Sequence, residues 1–214
     1  MPRVVTTSLL SATVITLVVA CGGGDEASDE SSGEDTAAGA EQSEADTEEP
    51  TATLVDPGGT EVGTVTFEEA EEGMEMSVDV TGLPPGFHGF HVHAVGVCEP
   101  DSANPSDPSV TGDFFSAGGH IGAGESDDGE HPGDLPTLYV AASGTGSLTA
   151  VIDALALADL TDADGSAVMV HASRDNYANV PERYAPGGPD EMTLNTGDAG
   201  GRIACGPVED PGQG

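Results

Sequence analysis

The sequence contains no Lys and no Trp, and its four basic residues are all Arg, against 39 acidic residues. The resulting net charge of −35 argues against a nucleic-acid-binding surface, which needs clustered Lys and Arg to replace counterions. It argues equally against a polybasic membrane patch. The chain has 31 Gly and 15 Pro among 214 residues, and because both residue types interrupt helices, a long helical bundle is not expected.

The first 20 residues have the pattern of an export signal. Arg3 provides a basic start, and the uncharged run 4–20 is shorter than the roughly 20 residues that a membrane-spanning helix needs. The run ends in Val18-Val19-Ala20-Cys21, which resembles a bacterial lipobox. We therefore expect a lipoprotein signal peptide over 1–20, lipidation of Cys21, and an extracytoplasmic protein anchored to the membrane of the cell envelope. An ordinary secretory signal with an incidental Cys is the alternative.

An acidic linker is predicted over 21–50, before a folded domain over 51–214. The linker segment has no aromatic residue and no Val, Leu or Ile, and 11 of its residues are acidic. Such a segment cannot bury apolar surface, and its charges repel one another, so we expect it to be disordered. A disulfide is permitted outside the cytoplasm, and with Cys21 lipidated, Cys98 and Cys205 are one possible pair.

Short strands are predicted by apolar residues that recur with a period of two, as in 74–80, where every second residue is apolar. The candidate strands are 51–55, 61–67, 74–80, 89–95, 137–142, 147–152 and 167–171. Only 153–160 has a helical pattern. The pattern predicts an all-β fold, an antiparallel sandwich or barrel. Two long loops, 96–134 and 172–201, interrupt it, and loops of that length are usually functional.

All six His lie in or beside those two loops. They are His88, His91, His93, His120, His131 and His171. Alternate residues of a strand share a face, so His91 and His93 present two rings side by side while Val92 turns into the core. Clustered imidazoles indicate a site for copper or zinc. His88 has the wrong spacing to share that face, and we expect it to be a buried His bonded to the backbone.

Five segments resemble, in order, the signature segments of the copper/zinc superoxide dismutase family. They are Gly86-Phe87-His88-Gly89-Phe90-His91-Val92-His93, Ser116-Ala117-Gly118-Gly119-His120, His131-Pro132-Gly133-Asp134-Leu135-Pro136, Met169-Val170-His171 with Asp175-Asn176, and Gly197-Asp198-Ala199-Gly200-Gly201-Arg202-Ile203-Ala204-Cys205-Gly206. The resemblance covers about 51–208. It implies a Greek-key antiparallel β-sandwich or barrel, and a copper-dependent enzyme that disproportionates superoxide to oxygen and hydrogen peroxide.

The resemblance also assigns roles to individual residues. The copper ligands that it implies are His91, His93, His120 and His171. Arg202 is implied to guide and dock the anionic substrate. Asp175 is implied to orient a metal-binding His through that ring's second nitrogen. Cys98 and Cys205 are implied to form the family's disulfide.

The zinc site departs from the family pattern. The family holds zinc with three His and one Asp, whereas only His120, His131 and Asp134 match, and no His lies between His120 and His131. A structural zinc site is closed by four ligands. The carboxylates that could replace the missing His are Glu125, Asp127, Asp128 and Glu130. Either one of them completes the site, or zinc is weak or absent and His120 is an ordinary copper ligand.

Positive charge in the mature chain is confined to Arg174, Arg183 and Arg202. An acidic protein repels superoxide, so its attraction must be local to a cleft, and distant charges are largely screened at physiological salt. We expect Arg202 to provide that attraction, and Arg174 and Arg183 to form ion pairs that stabilise the second loop.

Two other functions stay open at this point. The first is a non-catalytic copper-binding lipoprotein that buffers or delivers the ion, which needs the His ligands but no anion guide. The second is a surface structural or adhesive module in which a metal only stabilises the fold. The sequence does not indicate the oligomeric state.

Overall fold

The computed structural model describes residues 49–124 and 130–213. The predicted signal peptide and almost all of the predicted linker therefore lie outside the described residues. So do Cys21 and three of the carboxylates considered for zinc, Glu125, Asp127 and Asp128. Within the described ranges, no helix is long and apolar enough to cross a membrane.

The described chain is built mainly of strands. The strands are β1 (Thr51–Val55), β2 (Glu61–Ala70), β3 (Gly73–Val80), β4 (Gly86–His88), β5 (Phe90–His93), β6 (Ser102–Ala103), β7 (Thr111–Gly112), β8 (Leu138–Val140), β9 (Gly146–Ile152), β10 (Ala167–His171) and β11 (Arg202–Pro207). The helices are α1 (Leu157–Leu160) and α2 (Glu191–Thr196), with 3₁₀ turns at Phe115–Ala117 and Pro211–Gln213.

Seven of the strands form one antiparallel sheet in the order β5-β10-β11-β1-β2-β3-β9. Strands β4 and β8 form a separate antiparallel pair that is connected to the two edge strands of this sheet, β5 and β9. Gly89 alone separates β4 from β5, and β8 continues into β9 through a tight turn in which the Ala141 amide donates to the Thr145 carbonyl (2.8 Å). The sheet therefore curls back on itself, which confirms the all-β antiparallel prediction.

The core lies inside the curled sheet. Along β3, Met74, Met76, Val78 and Val80 are all buried, as the period of two predicts. They pack with Phe67 and the other apolar residues that point inward from the remaining strands. Burying a side chain of this size stabilises a fold by roughly 1.5–3 kcal/mol, so this continuous apolar face holds the curled sheet together.

The two long loops contain little regular structure, which confirms their prediction, but the second one includes a helix that the sequence analysis missed. The Asp190 carboxylate caps α2 by accepting from the Thr193 amide (2.9 Å), and Gly197 ends the helix at φ 54°. Asp at an N-cap and Gly just past the last turn are both readable in a sequence. Within the segment 153–160, for which a helical pattern was predicted, only Leu157–Leu160 is helical.

Candidate metal centre

Two paired strands supply three of the clustered rings. His93 lies opposite Ala167 and His91 lies opposite Met169 in the β5–β10 pair, and His171 ends β10 just after a break in register. Gly89 is required between β4 and β5, because a Cβ there would lie 2.6 Å from the Cβ of Ala199. The backbone at Gly89 thus lies close against Ala199, near the point where the rings converge.

The fourth ring comes from the first long loop. His120 forms a short antiparallel bridge with His93. The amide that follows His120, that of Ile121, donates to the carbonyl of Val92 (2.9 Å). The loop is therefore held as an extra strand segment beside β5, which brings His120 to the rings at 91, 93 and 171.

The four predicted copper-binding rings lie together. His91, His93, His120 and His171 each offer a nitrogen within 4.8 Å of the others. All four residues are buried, with at most 4 % of their surface exposed. The ring centroids are 3.9 Å apart for His91 and His120 and 6.3 Å apart for His91 and His93. This spacing allows four nitrogens to face a single ion.

Each ring is oriented by its second nitrogen. Nδ1 of His93 donates to the carbonyl of Gly118 (3.0 Å), and Nδ1 of His171 donates to that of Gly200 (3.0 Å). As a result, Nε2 of His93 and Nε2 of His171 face each other at 3.4 Å. Nδ1 of His91 is buried with no hydrogen-bond partner in the described structure. Buried polar nitrogens are rarely left unpaired, so this atom fits a metal ligand.

The electrostatics keep His93, His120 and His171 neutral. Burial lowers the pKa of His93 well below its ordinary value, and the neighbouring His120 ring and the Arg202 charge lower it further. Burial also lowers the pKa of His171 well below its ordinary value. The pKa of His120 is lowered to about 4 by burial, although its hydrogen bond to Asp134 opposes the shift. Neutral imidazole is the form that binds metals.

A second cluster shares His120 with the first and joins it to His131 and Asp134, again with candidate ligand atoms within 4.8 Å of one another. Nδ1 of His120 lies 2.8 Å from Oδ1 of Asp134, and Nδ1 of His131 lies 3.2 Å from its Oδ2. Both ring nitrogens of His131 are buried without a hydrogen-bond partner in the described structure. Burial would raise the pKa of Asp134, but the hydrogen bond with His120 holds it below its ordinary value.

Asp175 holds the first cluster from outside through His91. Its Oδ2 accepts from Nε2 of His91, and its Oδ1 accepts from the amide of Tyr177 (2.6 Å). A Cβ at Gly197 would overlap the Asp175 carboxylate, so only glycine at 197 leaves room for it. The carboxylate fixes the outer nitrogen of His91, which turns Nδ1 of that ring toward the other three.

Arg202 reaches over the first long loop from the start of β11. Its guanidinium donates to the carbonyls of Phe114 (2.6 Å) and Gly118 (2.5 Å) and lies 4.5 Å from the centre of the Phe115 ring. Burial lowers its pKa to about 10, so it is positively charged at neutral pH. Arg202 lines a cleft of about 830 Å³ together with three of the clustered His.

The predicted disulfide is confirmed between Cys98 and Cys205, whose Cα atoms are 5.7 Å apart. It ties the first long loop, which supplies both carbonyls held by Arg202, to strand β11. The loop and the guanidinium are thus fixed to each other by one covalent bond and two hydrogen bonds.

Two other sequence predictions have opposite outcomes. His88 is buried, and its ring nitrogens lie 2.7 Å and 2.8 Å from the carbonyls of His171 and Pro84, as predicted. For Arg174 and Arg183, by contrast, no predicted ion pair is found with a described residue. Each guanidinium lies near an aromatic ring instead, 5.8 Å and 4.7 Å from the ring centre.

Sequence analysis missed several residues that shape the site. The carbonyls of Phe114 and Gly118 position Arg202, but a carbonyl acceptor leaves no trace in the sequence. Tyr177 was missed as well, although it follows Asp175 by two positions within the second loop. Gly197 could have been noticed as a helix-ending glycine, but its role beside the Asp175 carboxylate depends on the tertiary structure.

Comparisons with known proteins agree with this geometry. The family model described as copper/zinc superoxide dismutase matches residues 61–208. A protein named superoxide dismutase [Cu-Zn] from Mycolicibacterium paratuberculosis is 44% identical over 160 residues, which cover 71% of this chain and 70% of that protein. Its counterpart from Mycobacterium tuberculosis is 43% identical over 166 residues, covering 74% and 69%.

Solved structures point the same way. The Cu/Zn superoxide dismutase from Brucella abortus is 35% identical, with a TM-score of 0.57, and the match covers 75% of this chain and 100% of that one. The antiparallel β fold agrees with this structural neighbour, and the family model matches well over half of the chain. The chain therefore belongs to the copper/zinc superoxide dismutase family.

Proposed function

We propose that this superoxide dismutase converts superoxide to oxygen and hydrogen peroxide at a copper ion held by His91, His93, His120 and His171. The observation that carries the proposal is the buried, unpaired Nδ1 of His91 beside nitrogens of three other neutral rings. Imidazole suits copper, and four such ligands on rigid elements fit one ion. When bound, copper supplies the one-electron steps by which two superoxide ions and two protons become oxygen and hydrogen peroxide.

Arg202 binds the anion beside this centre. Its guanidinium is fixed by two backbone carbonyls and lines the same cleft as His93, His120 and His171. Among the described residues lining that cleft, it is the only Arg. The domain over 51–214 carries 28 acidic residues and three Arg, so a charge focused in the cleft must overcome the surrounding repulsion. Water in the same open cleft supplies the two protons.

Zinc at the second cluster is not required for activity in this proposal. The described residues offer three ligands, His120, His131 and Asp134, where a closed structural site needs four. His131 and Asp134 also line a separate cleft of about 660 Å³, from which solvent can reach a bound ion. Glu130 lines that cleft too, but it is an exposed residue. Activity should therefore follow copper and respond little to zinc.

The enzyme acts outside the cytoplasm on a lipid anchor at Cys21. Support comes from the export signal and lipobox pattern in the sequence and from the Cys98–Cys205 disulfide, because disulfides persist in oxidising compartments. Mass spectrometry of the mature protein from its membrane fraction tests this directly. A diacylglyceryl-modified Cys21 at the new amino terminus is the expected result, and an unmodified, unanchored chain would contradict it.

Metal content and activity measured together test the catalytic proposal. Purified protein is assayed for copper and zinc per chain and for superoxide dismutation, before and after selective removal of each metal. We expect activity to disappear with copper, to return when copper is restored, and to change little when zinc is removed. Protein that binds one copper per chain without dismutase activity would instead support copper buffering or delivery.

A further inference from the structure

Tyr177 connects the second long loop to the segment that carries the second cluster. Its hydroxyl donates to the carbonyl of Leu135 (3.0 Å) and accepts from the hydroxyl of Thr137 (2.7 Å). Leu135 directly follows Asp134. The hydroxyl therefore binds the backbone next to the carboxylate that holds His120.

The same residue also holds the other carboxylate of the site. The amide of Tyr177 donates to Oδ1 of Asp175 (2.6 Å), whose Oδ2 accepts from His91. Tyr177 adopts φ 51°, a left-handed conformation that costs a non-glycine residue roughly 1–2 kcal/mol and persists only where surrounding contacts fix it. Here the hydroxyl contacts on one side and the Asp175 contact on the other fix it.

These contacts form a continuous path from one copper-binding ring to another. The path runs from His91 through Asp175 to Tyr177, then to Leu135, and from the adjoining Asp134 to Nδ1 of His120. His91 and His120 are also the pair of rings with the shortest centroid distance among the four, 3.9 Å. A tether between their outer partners therefore controls how these two rings face each other.

We propose that Tyr177 is a positioning residue that fixes His91 and His120 relative to each other without help from a second metal ion. The inference rests on the proposed copper centre. The contacts of the Tyr177 hydroxyl are made within the chain itself, so they do not require a metal ion at the second cluster. The pKa of Tyr177 is raised, first by burial and then by the Asp175 charge, so the hydroxyl keeps its proton and remains a donor at neutral pH.

The test compares Tyr177→Phe with Tyr184→Phe in zinc-free, copper-loaded protein. Tyr177→Phe removes the two hydroxyl contacts and keeps the ring. Tyr184 is 73% exposed and lies in the same loop, and we assign it no role in the site, so it is the matched control. Electron paramagnetic resonance of Cu(II) reports the arrangement of the ligands directly, and a competitive chelator titration gives the copper affinity.

We expect Tyr177→Phe to shift or split the parallel copper hyperfine lines and to weaken copper binding roughly fivefold, the effect of losing about one hydrogen bond. Tyr184→Phe should leave both unchanged. A wild-type spectrum and affinity in Tyr177→Phe would overturn the inference while leaving the copper centre intact, as would equal changes in both variants. A wild-type protein whose copper signal lacks nitrogen hyperfine structure would overturn the proposed centre itself, and the inference with it.

Discussion

Replacing both Cys98 and Cys205 with Ser should destabilise the domain strongly. The bond joins residues 107 positions apart, and in the chain-entropy model a loop of that length stabilises the folded state by about 4.7 kcal/mol. For a domain of this size, each kcal/mol corresponds to roughly 2–4 °C in melting temperature, so we expect a decrease of roughly 10–20 °C. The comparison is made on metal-free protein, because a bound ion adds its own stabilisation.

Urea unfolding followed by circular dichroism measures this effect, with Cys21→Ser as the control that keeps the disulfide. The double variant should also lose dismutase activity after copper loading, since the loop that supplies the Phe114 and Gly118 carbonyls to Arg202 is no longer tied to β11. A loss of stability below about 1 kcal/mol would refute the reasoning, because the loop would then be fixed by other contacts.

Three further predictions concern charge and loop order. Arg202→Ala should lower kcat/KM roughly tenfold with copper content unchanged, whereas Arg183→Ala should leave kcat/KM unchanged. Stopped-flow assays measure both variants, and equal rates in the two would contradict a local anion guide. Metal-free protein should lose stability as the pH falls from about 6.5 toward about 4. In this pH range the unfolded chain binds a proton at His120, whereas the folded chain does not, because the pKa of His120 is about 4 in the fold. The free energy of unfolding therefore falls by about 3 kcal/mol on account of that ring. A urea midpoint that does not change across this pH range would contradict the predicted loss of stability. Asp190→Ala should loosen α2 by removing its cap, detected as faster amide exchange in the helix, whereas Asp190→Ser should preserve the cap.

Local patterns made the strands predictable. The alternation at 74–80 gives the buried face of β3, and the two-residue spacing of His91 and His93 gives their shared face, because strand geometry repeats every two residues. Both features depend only on neighbouring residues. The long loops were also predictable, since Gly, Pro and polar residues dominate them.

The convergence of the four rings could not be predicted from local patterns. His120 and His171 reach the site through pairings between segments far apart in the sequence, which no local pattern determines, so their place was inferred only from the resemblance to a family. The contacts that orient the rings depend on backbone carbonyls such as that of Gly118, which any residue type offers. The positions of Arg174 and Arg183 over aromatic rings likewise required the tertiary structure.

Copper titration of the metal-free protein, followed by electron paramagnetic resonance, tests the central claim most directly. The account predicts one tightly bound Cu(II) per chain with nitrogen hyperfine structure, and loss of that signal in His93→Gln and His171→Gln. His131→Gln, which alters only the second cluster, should keep it. Tight copper binding that survives the loss of both His93 and His171 would contradict a centre built from these four rings.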